Sequence, residues 1–114
     1  MSARTSLNVP NPFQQVPLNI SAGGDNVVIA GIAGKQIKVF RIKWVCSAAV
    51  TVTVKDGASN VLDGPMSFST NEGAVLDWPG YDGPPWYTTT SGNALIFNLS
   101  SGVQVGGNLD YMQS

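Results

Sequence analysis

The sequence predicts an all-β fold: a jelly-roll-like sandwich of about eight antiparallel strands, preceded by an extended N-terminal arm. Three observations carry that expectation. Apolar side chains alternate with period two in segment after segment. Turn chemistry recurs at spacings of roughly eight to twelve residues, the rhythm of a β-sandwich. No stretch of about eleven or more residues repeats apolar side chains at helical spacing.

Taken in order, residues 1–15 read as an arm. Val9 and Phe13 stand isolated among Pro10, Pro12, Gln14 and Gln15. Such a segment is either a frayed terminus or an extended arm whose Phe13 docks on a neighbouring subunit. A single domain is expected over 16–114, with its first strands over Val16–Ile20 and Val27–Ala33. The longest candidate runs over Gln36–Cys46. There Ile37 and Val39 share one parity while Phe40, Ile42, Trp44 and Cys46 share the other, which predicts either a bulge near Val39 or a strand buried on both faces in turn. Val50, Val52 and Val54 against Thr51, Thr53 and Lys55 define a half-buried strand. Further strands are expected over Asn60–Phe68, open to interruption at Gly64-Pro65, then Ala74–Trp78, Trp86–Thr88, Ala94–Leu99 and Val103–Tyr111. Gly106-Gly107 within the last marks a bulge or a close backbone approach.

The chain has 114 residues, the size of one domain. Hydrophobic residues make up 43% and charged residues 11%, where about 25% charged is usual. A surface so poor in ions suits a protein covered by sister subunits or a larger assembly. The net charge of −1 gives no pull toward nucleic acid or an anionic membrane, and neither is expected as a partner. The start Met1-Ser-Ala-Arg-Thr-Ser lacks the pattern of a secretory signal, so synthesis in the cytoplasm is expected.

The absence of histidine removes the commonest general base and zinc ligand together. No metal, cofactor or catalytic site is expected, and the chain reads as a non-enzyme. Cys46 lies in an apolar stretch and reads as a small buried hydrophobe. Asp25, Asp56, Asp63 and Asp82 each adjoin turn glycines or asparagine, where Asp serves local backbone hydrogen bonds.

Two features remain as candidate contacts. Lys35, Lys38, Arg41 and Lys43 are four of the six basic residues, and at least Arg41 and Lys43 share a face. They form either a patch for an acidic protein surface or a solvated strand face that guards against edge pairing. The segment 78–87 holds Trp78, Tyr81, Trp86 and Tyr87 on a proline-stiffened loop. Its aromatics can stack on sugars or form a protein hot spot. Alternatively, Trp78 and Trp86 end strands and cap the core, with Tyr81 left open as a tip contact.

Four runs carry a family resemblance: Ala33-Gly-Lys-Gln-Ile-Lys-Val-Phe-Arg-Ile, Ser47-Ala-Ala-Val-Thr-Val-Thr-Val-Lys-Asp-Gly, Leu62-Asp-Gly-Pro-Met-Ser-Phe, and Trp86-Tyr-Thr-Thr-Thr-Ser-Gly-Asn-Ala-Leu-Ile-Phe-Asn-Leu-Ser. Over Ala30 to Tyr111 the chain resembles small virion proteins of tailed bacteriophages. The resemblance implies a jelly-roll or related sandwich that decorates or cements a capsid. It further implies the major capsid protein and other copies of the chain, as trimer or dimer, for partners, and a place on the virion surface. No catalytic residues come with it. Arg4, Val9, Phe13, Lys38, Arg41, Lys43 and Tyr81 are the expected contacts. A carbohydrate-binding or head- or tail-fibre module using Trp78, Tyr81 and Trp86 is the alternative.

Overall fold

The computed structural model describes residues 13–77 and 83–114. Every regular element among them is a strand: β1 (Gln14–Ile20), β2 (Gly24–Ile29), β3 (Ile37–Cys46), β4 (Val50–Asp56), β5 (Asn60–Phe68), β6 (Gly73–Leu76), β7 (Tyr87–Thr88), β8 (Leu95–Leu99) and β9 (Val105–Gln113). The first sheet runs β1-β9-β3-β6, with the short β7 also on β3. The second runs β2-β8-β4-β5, and all pairings are antiparallel. A five-stranded sheet, β7 included, and a four-stranded sheet joined by repeated crossings make a jelly-roll-like sandwich, as the alternation and turn spacing predicted.

The core lies between the sheets because each strand turns its apolar parity inward. Leu18, Trp44 and Leu109 come from the first sheet, and Val52, Phe97 and Leu99 from the second; all are buried. Trp44 sits at the centre, edge-on to Phe97 at 5.4 Å and to Phe68 at 5.9 Å between ring centroids, a favoured aromatic arrangement. Cys46 is fully buried, and that burial, with the nearby Glu72 charge, pushes its thiol pKa up.

The bulge expected near Val39 is present. The register of β3 on β9 slips between Val39 and Arg41, so Phe40 is the additional residue. Ile37 and Val39 point inward before it, Ile42 and Trp44 after it. Gly107 provides the close approach: a Cβ there would collide with the Lys43 carbonyl of the neighbouring strand.

Three local expectations are corrected. The second strand was expected to reach Ala33 but ends at Ile29. Gly31 lies so close to the Gly92 carbonyl that a side chain would clash, and the segment turns there instead of continuing the ladder. Gly64-Pro65 does not interrupt β5; the strand passes through it with a cis peptide bond and register shifts against β4. An edge strand tolerates this, since proline there removes no needed ladder donor. Finally, Asp56 and Asp63 are not turn carboxylates. Asp63 lies within β5 and accepts the Tyr87 phenol at 2.7 Å, linking the two sheets.

Asp56 is buried at the end of β4. It accepts the Thr90 amide at 2.9 Å, the Thr90 hydroxyl at 2.7 Å and the Asn93 amide at 3.1 Å. Burial raises its pKa, but bonds from Thr90, Asn93 and Asn60 outweigh that and hold it below the ordinary 3.8. A carboxyl depressed on folding stabilises the protein above its unfolded pKa, and loses that contribution as pH falls through the lower folded value. Asp56→Ala is therefore expected to cost about 1–3 kcal/mol at neutral pH, because it strands buried donors. Denaturant titration at pH 7 and again below pH 3 checks this: the gap between wild type and variant should narrow in acid.

Candidate interaction face

The expected contact residues that the structure describes converge on the outer face of the first sheet. In β1, Leu18 and Ile20 point inward, so Gln15 and Pro17 point out. In β3 the bulge puts Lys38 on the same outward side as Arg41 and Lys43, although their numbering differs in parity. Phe13, just before β1, lies against Phe40 at the bulge with ring centroids 5.0 Å apart. An intrachain partner for Phe13 was not anticipated, because a bulge residue's direction cannot be read from alternation. Arg4, Val9, Trp78 and Tyr81 lie outside the described residues.

The basic residues do not form an open positive patch. Arg41 stands between Asp77, at 3.5 Å, and Asp110, at 3.8 Å. Asp110 is its cross-strand neighbour on β9, and Asp77 follows β6. Lys38 donates to the Ser114 hydroxyl at 3.3 Å. Lys43 has no ion pair among the described residues. The face therefore mixes both signs, where the sequence had shown only the clustered cations.

Trp86 also belongs to this face. Tyr87 points inward and is buried, so Trp86, its neighbour, points out. It is 49% exposed, which corrects its reading as a core cap; Tyr87 fills the interior position instead. The Trp86 amide donates to the Val39 carbonyl at 2.8 Å, and its indole N–H donates to the Asp77 carbonyl at 2.8 Å. Trp86 is thereby tied to β3 at Val39 and to the backbone at Asp77. Val75, 75% exposed, and Val45, 55% exposed, complete the apolar surface.

A groove of about 360 Å³ lies on this face. Gln15, Arg41, Lys43, Val75, Asp77, Asn108 and Asp110 line it. Its floor is the β9-β3-β6 ladder, so regular strands hold its walls. The outer face of the second sheet differs. There Asp25 accepts from Asn98 at 2.8 Å and from Lys55 at 3.0 Å, which hold its carboxyl below the usual range. Its charges are paired, and Val27 and Val61 are exposed at its margins.

Among the described residues no group of three metal-ligating side chains occurs. Comparison of the chain with protein-family models, with curated proteins and with solved structures finds no match in any of the three.

Proposed function

We propose that the chain is a structural, non-enzymatic protein of a tailed-phage virion. In this reading it is a decoration or cement subunit that binds the major capsid protein and its own copies and stabilises the head. The observation that carries the proposal is the position of Phe13. It enters the sandwich at an open sheet edge and lies on Phe40, beside Lys38 on the outer face. Attachment starts at this corner: residues 1–12, with Arg4 and Val9, extend the contact onto the capsid. Lys38 and Lys43 add charge specificity against an acidic surface. Many weak copies then act together through multivalency. The jelly roll supports this by analogy, being an architecture of viral capsid proteins and of lectins alike.

The test is co-sedimentation with the cognate empty capsids. A chain lacking residues 1–12, and separately Phe13→Ala, should bind at least about tenfold more weakly, as expected for loss of an aromatic anchor. Both should keep the wild-type circular dichroism. Unchanged binding by both variants overturns the attachment corner.

A further inference from the structure

We propose that β6 is a contact edge between copies of this chain: it pairs antiparallel with β6 of a second copy about a two-fold axis at Ala74, joining two first sheets into one.

A sheet edge invites pairing unless something blunts it. β1 and β6 end the first sheet, β2 and β5 the second. Proline, which lacks the N–H, stands in β1 at Pro17 and in β5 at Pro65. The register of β5 also slips, as does that of β2 between Val27 and Ile29. β6 has neither device; its ladder on β3 runs from Val45–Gly73 to Ile42–Leu76 without a shift. It carries no charged side chain either. A two-fold axis sets each residue near its own copy, so a charge in the strand would meet its like.

The direction of the free backbone groups follows from β3. The Cys46 amide donates to the Glu72 carbonyl, and bonded pairs alternate along an antiparallel ladder. Ala74 opposite Trp44 and Leu76 opposite Ile42 are therefore the bonded residues. The N–H and C=O of Gly73 and Val75 point away from β3, and they have no hydrogen-bond partner among the described residues.

The side chains favour the same pairing. Ala74 and Leu76 pack against the core, while Val75 stands 75% exposed on the outer face. Gly73 has room for no side chain, since a Cβ would collide with the Trp44 carbonyl. Its cross-strand neighbour Val45 is flanked on the other side by Gly106. The edge thus offers a knob and a notch two positions apart. With Gly73 opposite Val75 of the second copy, each valine covers the other copy's bare glycine. The two valines become diagonal neighbours, and about four backbone hydrogen bonds form.

Size sets the strength. A strand of four residues is about 13 Å long and falls short of the ~1,000 Å² that a stable interface clears. Free copies therefore associate weakly, with a Kd on the order of 1 mM. Copies held side by side on a common surface meet at a far higher effective concentration. Neither Phe13 nor residues 1–12 takes part, so the pairing stands apart from the attachment corner.

The experiment is a ¹H–¹⁵N NMR dilution series of the full chain from ~2 mM to ~0.05 mM, a range that spans this Kd. Isotope-filtered NOEs are recorded at the top concentration on an equimolar mixture of labelled and unlabelled protein. The Gly73 and Val75 amides should shift with concentration, and intermolecular NOEs should join the Val75 methyls to the Gly73 α protons. Val75→Pro removes the outward N–H and the knob while leaving the β3 ladder intact. Val75→Lys sets like charges beside the axis. Each should raise the Kd about tenfold or more, with second-sheet amides at their wild-type positions. Val27→Lys, on the β2 edge, and the chain lacking residues 1–12 should both dilute like wild type. The latter result separates this contact from capsid attachment. No concentration dependence at Gly73 and Val75, intermolecular NOEs at another edge, or a Val75→Lys chain that dilutes like wild type overturns the proposal.

Discussion

Trp44→Ala should lower unfolding stability by about 3–5 kcal/mol, the range for deleting a buried aromatic from a core. Trp44 is 1% exposed and packs edge-on against Phe68 and Phe97, both from the opposite sheet. Its removal opens a cavity at the point where the two sheets meet. For a domain of this size each kcal/mol moves the midpoint by roughly 4–8 °C, so thermal unfolding resolves the effect easily. Trp44→Phe is the informative partner. The Trp44 indole N–H is buried with no hydrogen-bond partner among the described residues, and an unmade bond of that kind is itself unfavourable. Phenylalanine relieves it while leaving a smaller void, so its loss should stay within about 1.5 kcal/mol, as volume-tolerant core swaps do. A Trp44→Ala protein with a wild-type midpoint would show that the sheets do not pack across this residue.

Gly107→Ala should destabilise by about 1–3 kcal/mol or more, since overpacking at backbone cannot be relieved by a rotamer change. The added methyl would collide with the Lys43 carbonyl in the adjacent strand, and β3 and β9 are both interior strands of their sheet. Gly106→Ala is the control. The nearest atom to its Cβ is the Leu18 carbonyl oxygen at 3.8 Å, an ordinary contact, and glycine carries an entropic penalty in a strand. Chemical denaturation of the two variants should therefore separate adjacent glycines sharply. Equal midpoints would contradict the close β3–β9 approach.

The strands were legible because their parity is written locally. Val50, Val52 and Val54 needed no partner to announce a face, and the change of parity in mid-strand allowed a bulge near Val39 or burial on both faces in turn, between which the β3–β9 register decides. The approach at Gly107 was signalled by two glycines inside an apolar alternation. The errors fall where a residue's fate depends on a distant strand. Asp56 looks like a turn residue beside Gly57, yet its donors lie 34 and 37 positions away. Arg41 looked like part of a basic cluster, and the carboxylates that offset it come from other strands and loops. Trp86 and Tyr87 are both bulky aromatics, and sequence alone does not say which one turns inward. The pairing of Tyr87 with Val39 decides it. The candidate groove was invisible for the same reason, since its walls come from strands far apart in the chain.

Hydroxyl-radical footprinting of the protein bound to empty capsids tests the central claim most directly. Phe13 and Phe40 should lose labelling on binding, while Val27 and Val61 on the second sheet, exposed in the free chain, should keep theirs. Protection of Val27 and Val61 with Phe13 and Phe40 still reactive would contradict the account, because the second sheet would then face the capsid.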